Sequence, residues 1–174
     1  MIRAAMLAAG LALAAPFASY AAEPVPSHVD FPGFAALTQE VRDVRAQRLV
    51  TLEAFWAMAA DPKTLILDAR SKDAYARGHI AGAVNLPFTD FTAQSLAAAI
   101  GDPDRPILIY CNNNFSNDVV PVILKSRPLA LNIQTFINLY GYGYRNVYEL
   151  SETVDFNEAR VKWVAQADPA AGPG

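Results

Sequence analysis

The chain has 174 residues, 53% of them hydrophobic and 18% charged, with a formal net charge of −3. That is enough apolar material for one domain with a real core and tails. No Lys/Arg run or basic-aromatic stripe is present, which argues against nucleic acid as a partner.

In chain order, the first segment reads as an export signal. Arg3 supplies a positive start, Ala4 to Ala18 an apolar stretch, and Ser19-Tyr20-Ala21 the small residues a signal peptidase reads. The expected division is a signal peptide over 1–21, a flexible lead-in over 22–33, a folded domain over 34–166 and a tail over 167–174. The apolar stretch falls short of the ~20 residues a spanning helix needs. The mature chain is therefore expected in the periplasm of a bacterium or outside the cell, with no membrane attachment after cleavage.

Phe34, Leu37, Val41 and Val44 have helical spacing, so an amphipathic helix is expected over Phe34 to Gln47. Arg48 to Val50 reads as a short strand, and Thr51 as the cap of a helix from Leu52 to Ala60. Thr64 to Asp68 is an apolar strand, followed by a short helix over Ser71 to Ala76 that Gly78 can close. Ala83 to Asn85 reads as a strand, Thr92 to Ile100 as a helix, and Ile107 to Tyr110 as another strand. Helices are expected over Asp118 to Lys125 and Ile133 to Tyr140, a last strand over Asn146 to Leu150, and a closing helix over Asn157 to Ala165. Strands alternating with helices specify an α/β domain with a mostly parallel five-stranded sheet and helices on both faces.

Cys111 is the single cysteine. It stands at the end of an apolar strand and before a polar turn, where open α/β sheets bind ligands. The bland reading of a lone Cys is a small core residue. An exported protein usually pairs its cysteines. This one cannot be paired within the chain, which points to a reactive thiol or an intermolecular bond. A thiol oxidoreductase would need a second Cys to resolve a mixed disulfide. No His/Cys/Asp/Glu cluster has metal-ligand spacing, no phosphate loop is present, and no cofactor is implied.

Leu65-Ile66-Leu67-Asp68-Ala69-Arg70 and the run Gly78-His79-Ile80-Ala81-Gly82-Ala83-Val84-Asn85-Leu86-Pro87, with Ile107 to Cys111 and Gly143 to Leu150, resemble the rhodanese family over about Arg48 to Leu150. The resemblance implies a sulfurtransferase or persulfide carrier with Cys111 as the persulfide-bearing nucleophile. Asn112, Asn113, Asn114, Phe115, Ser116 and Asn117 would form the cradle whose N–H groups face the sulfur. The thiol would then be depressed in pKa, aided by a helix beginning near Asp118. The donor would be a small sulfur compound or a persulfide-carrying protein. Asp68 and Arg70 are expected to pair and hold the strand end. His79 is either an acid/base group or, more in keeping with this motif, a loop-fixing hydrogen-bonding residue.

Three features depart from the family pattern. The loop has Asn114 and Ser116 where a Gly and an Arg are usual, so it has no cation of its own and would favour a less charged donor. The distance from Cys111 to Gly143 is longer by about one helix, with Ser126 to Ile133 expected to belong to an insertion. Ser151-Glu152 replaces the usual glycines after the last strand. The alternative reading is a non-catalytic binding or accessory module of the same fold. A related Cys-dependent phosphatase would need an Arg where Asn117 stands.

Overall fold

The computed structural model describes residues 27–117 and 124–165. The compact unit begins at Phe31, and everything below lies in it. The expected signal segment, the tail after Gln166 and most of the helix expected over Asp118 to Lys125 fall outside the described residues. Leu124 and Lys125 are irregular.

The elements are α1 (Phe31–Ala46), β1 (Leu49–Val50), α2 (Leu52–Ala59), β2 (Leu65–Asp68), α3 (Lys72–Arg77), β3 (Gly78–Ile80), β4 (Val84–Asn85), α4 (Ala93–Ile100), β5 (Ile107–Tyr110), α5 (Leu131–Gly141), β6 (Val147–Leu150) and β7 (Trp163–Ala165). Five strands form one sheet in the order β1-β6-β5-β2-β4, and every pairing in it is parallel. β5 is central, so Cys111 emerges from the middle of the sheet's carboxyl edge.

Period-two alternation divides the core. Leu65 and Leu67 of β2 and Ile107 and Ile109 of β5 face α1, α4 and α5 through Val41, Leu96, Ile100, Phe136 and Leu139. Ile66, Leu108 and Tyr110 face the other way, against Leu52 and Phe55 of α2, Phe115, Val154 and Val161. Each of these side chains contributes about 1.5–3 kcal/mol by leaving water. All four residues of β2 and of β5 are buried, as strands covered on both faces must be.

Local signals set the helix starts. Thr51 Oγ1 accepts the Ala54 N–H, Ser71 Oγ accepts the Ala74 N–H, and Thr92 and Ser95 close a reciprocal capping box. α1 starts at Phe31, ahead of the expected Phe34, because Pro32 is tolerated in a first turn where its missing N–H would have had no partner.

The closing helix expected over Asn157 to Ala165 is not formed. A 3-10 turn at Ala159–Val161 ends at Lys162, whose φ of 51° is left-handed, and β7 follows. β7 pairs antiparallel with β3, His79 opposite Val164 and Ile80 opposite Trp163. The competing force is packing: Trp163 lies edge-on to Phe115 at 4.9 Å and stacks on Phe156 at 5.2 Å. A helix over these residues would withdraw the indole from that cluster. The Gly-His-Ile run is thus a strand as well as a loop.

Candidate functional site

Cys111 follows β5 and is 1% exposed. Behind it, Asp68 at the end of β2 is fully buried and holds Arg70. The Arg70 Nε donates to Asp68 Oδ1 at 2.9 Å and its Nη2 to Asp68 Oδ2 at 2.6 Å. Tyr110 donates its hydroxyl to the same carboxylate at 2.5 Å. Arg70 reaches on to the Gly78 carbonyl at 2.8 Å and to Asn112 Oδ1 at 3.1 Å. The Asp68–Arg70 pair therefore holds the loop after Cys111 against the β2 and β3 ends. A paired buried charge of this kind is costly to break from one side. Tyr110 is held well above the usual phenol range by burial and by the adjacent Asp68 charge.

The turn after Cys111 is a 3-10 turn, Asn112–Asn114. Asn114 is its hub. Its Oδ1 accepts the Cys111 N–H and the Asn132 amide, both at 2.9 Å, and its Nδ2 donates to the carbonyls of Leu150 and Glu152 at 2.8 and 3.0 Å. Three consecutive asparagines thus have separate tasks: Asn112 meets Arg70, Asn113 clips Lys125, and Asn114 ties β5 to β6 and α5.

The backbone N–H groups of Asn132, Asn113 and Leu131 lie where they favour an anionic sulfur, and that of Asn114 closes on the thiol from the turn. Leu131 and Asn132 are the first residues of α5, where N–H groups have no partner within the helix and the dipole is positive. Among the described residues the helix that faces the sulfur is α5, twenty residues along the chain; the one expected to begin near Asp118 falls outside them. Leu131 to Ile133, expected in an insertion, belong to α5.

The expected depression of the Cys111 thiol does not follow. Burial pushes its pKa up, the N–H groups of Asn132, Asn113 and Leu131 pull it down less strongly, and the Glu149 charge adds to the rise. Glu149 is itself held by Arg45 in a two-pronged ion pair at 2.7 and 2.6 Å. The cradle supplies the right dipoles for an anionic sulfur, in a site too dry for an ordinary thiol to ionise easily.

The second half of the expected cradle turns elsewhere. Phe115 is fully buried among Tyr110, Phe156 and Trp163 and bridges to Val154. Ser116 donates its N–H to the Val154 carbonyl at 2.9 Å, and Asn117 its amide to Asp155 Oδ1 at 2.7 Å. None of the three lines either of the two cavities described below. The aromatic pocket under Trp163 draws Phe115 down, and the chain follows. His79 stacks on Tyr75 at 3.8 Å with Nδ1 on the Tyr75 carbonyl at 2.9 Å, also away from the cavity.

A cavity of about 280 Å3 opens on Cys111, walled by Arg70, Pro87, Phe88, Asn113, Lys125 and Gln134 among others. A second, of about 250 Å3, touches Cys111 from the side of Glu149, Asn132 and Arg127. Lys125, Leu131, Asn132 and Gln134 were not among the expected site residues. Counting back along the helix that precedes Gly143 would have placed Leu131 and Asn132 at its start, beside the sulfur; nothing local marks Lys125. Among the described residues, no His/Cys/Asp/Glu group could hold a metal ion, and no helix is long and apolar enough to cross a membrane.

The sequence model of the rhodanese-like domain matches residues 51–154, from the cap of α2 to the segment that anchors Phe115. The chain belongs to the rhodanese-like domain family. The match supports a sulfurtransferase-family or sulfur-related module. No curated protein matches the sequence. Solved structures similar to this rhodanese-like domain include the Alr3790 protein of Anabaena sp., at 22% identity over 58% of this chain and 68% of that one, with a TM-score of 0.41. The rhodanese-like domain of the same protein, solved in solution, matches at 18% identity over 73% and 88%, with a TM-score of 0.46. EanB matches at 22% over 59% of this chain, with a TM-score of 0.44; the match spans only 23% of EanB.

Proposed function

We propose that this rhodanese-like domain moves sulfane sulfur through a persulfide on Cys111, in a compartment outside the cytoplasm. The observation that carries the reading is the thiol at the carboxyl end of the central strand, met by the N–H groups of Asn113, Leu131 and Asn132 and opening on a cavity of about 280 Å3. Such a cradle favours the anionic sulfur of a thiolate and of a persulfide alike.

In the first half-reaction the Cys111 thiolate attacks the outer sulfur of a donor. The Sγ–S bond forms as the donor's S–S bond breaks, and the donor leaves with the electron pair, as a thiolate from a persulfide or as sulfite from thiosulfate. In the second half-reaction a nucleophilic acceptor attacks the outer sulfur, and the pair returns to Sγ. No net oxidation occurs. The test is turnover with thiosulfate or polysulfide as donor and cyanide as acceptor, read as thiocyanate. Turnover lost in Cys111→Ser supports the reading. Turnover surviving that change, or absent with every donor, counts against it.

Export rests on the Arg3, Ala4 to Ala18 and Ser19-Tyr20-Ala21 pattern. Amino-terminal sequencing of protein from the cell envelope should begin near Ala22; a chain still starting at Met1 in the cytoplasm removes that part.

A binding module without turnover is the second reading. It is favoured by the 1% exposure of Cys111 and by a thiol pKa that burial pushes up. A Cys111 that resists alkylation in the folded protein and takes sulfur from no donor would establish it.

A further inference from the structure

The loop after Cys111 has no cation, but its cavity does. We propose that Lys125 selects an anionic sulfur donor in this cavity, and that Asn113 is the positioning residue that keeps it there. The inference rests on the sulfur-transfer reading above and names its donor class.

Asn113 closes two hydrogen bonds on the main chain of Lys125. Its Nδ2 donates to the Lys125 carbonyl at 2.8 Å and its Oδ1 accepts the Lys125 N–H at 3.2 Å. The same Asn113 lines the cavity beside Cys111, and its backbone N–H favours the anionic sulfur. One residue thus couples the reacting sulfur to the main chain of the cation. A pair of bonds of this kind fixes a segment as a strand pairing would, and it brings Lys125 into the cavity wall with Arg70, Phe88 and Gln134.

The other cations nearby are committed. Arg70 is neutralised by Asp68 and also donates to Gly78 and Asn112. Arg45 is engaged by Glu149. Arg127 lines the neighbouring cavity and not this one. Among the described residues no carboxylate pairs with Lys125. An ammonium is a compact charge on a flexible stem with three donors, which suits Lys125 to an anion in this cavity. Lys125 thereby restores, from further along the chain, the charge that Ser116 does not supply. It also reverses the expectation of a preference for less charged donors.

The experiment is calorimetric titration of the full chain, carrying Cys111→Ser so that no sulfur is taken up, with thiosulfate as the probe anion. Lys125→Gln should weaken binding roughly tenfold, as expected for a charge-assisted contact. Lys125→Arg should retain most of it, Asn113→Ala should lose part of it, and added salt should weaken binding with Lys125 far more than without it. Equal affinity with and without Lys125, or no measurable binding to the chain that has it, overturns the proposal. Sulfur loading of the chain with Cys111 intact is read separately by mass. Thiosulfate binding that depends on Lys125, in a chain that never loads sulfur, supports this inference and removes the transfer reading. Loading from thiosulfate that is indifferent to Lys125→Gln overturns this inference and leaves transfer standing.

Discussion

Asn114→Ala should be among the most damaging single changes in the domain. The side chain is 6% exposed and makes four hydrogen bonds, to Cys111 N–H, Asn132 Nδ2, and the carbonyls of Leu150 and Glu152. At about 1 kcal/mol net for each, their loss costs about 4 kcal/mol, near the top of the range for point changes. The figure is not lowered by rearrangement at Asn132, whose Oδ1 has no partner and whose Nδ2 would then have none either. With a urea slope of about 2 kcal/mol/M, the midpoint should fall by about 2 M. The assay is equilibrium urea unfolding followed by the fluorescence of Trp56 and Trp163. Asn114→Asp is the control for shape. It keeps the accepting oxygen but sets a second oxygen against two carbonyls, so it should be no better than Ala. A loss below about 1 kcal/mol for Ala, or an Asp variant equal to the unchanged chain, would refute the hub role.

Two further outcomes follow from particular contacts. Because burial raises the Cys111 pKa in the folded state, the unfolded chain gives up that proton first as pH rises. The associated stability is complete below the unfolded thiol value of about 8.5 and is lost as pH climbs through the folded value. Alkylation of the folded protein by iodoacetamide should have its midpoint above about 8.5, and Cys111→Ser should flatten the alkaline fall in stability; a midpoint below that value would contradict the burial argument. Gly78→Ala would place a Cβ 2.4 Å from Trp163 Nε1 and 2.6 Å from Cε2. Overpacking of this sort costs about 1–3 kcal/mol. The thermal midpoint should drop and the Trp163 emission should shift; an unchanged thermal midpoint would mean that the indole is not wedged between β3 and Phe115.

β2 and β5 were legible because each is a four-residue apolar run, and burial on both faces demands that composition; β1 and β4, two partly exposed residues each, were legible from their place between neighbouring elements. The starts of α2, α3 and α4 were legible in Thr51, Ser71 and Thr92 for the same local reason. β7 was not, although Val161 and Trp163 flank the charged Lys162 at a spacing of two. It is three residues long, and its partner Gly78-His79-Ile80 lies far back in the chain. The site divides in the same way. Cys111, Asp68 and Arg70 announce themselves by motif, and all three converge. The dipole that faces the sulfur belongs to Leu131 and Asn132, twenty residues and more beyond Cys111, and the proposed cation to Lys125, held by Asn113. Phe115 went to the core because an apolar ring in a polar loop follows the nearest aromatic pocket, here Tyr110, Phe156 and Trp163.

The central claim is that Cys111 carries sulfur. Intact mass of the folded chain after incubation with thiosulfate, and separately with polysulfide, tests it most directly. The account predicts a gain of one sulfur atom, removed by a thiol acceptor or cyanide and absent from Cys111→Ser. An unchanged mass with both donors, or a gain that persists in Cys111→Ser, would contradict it.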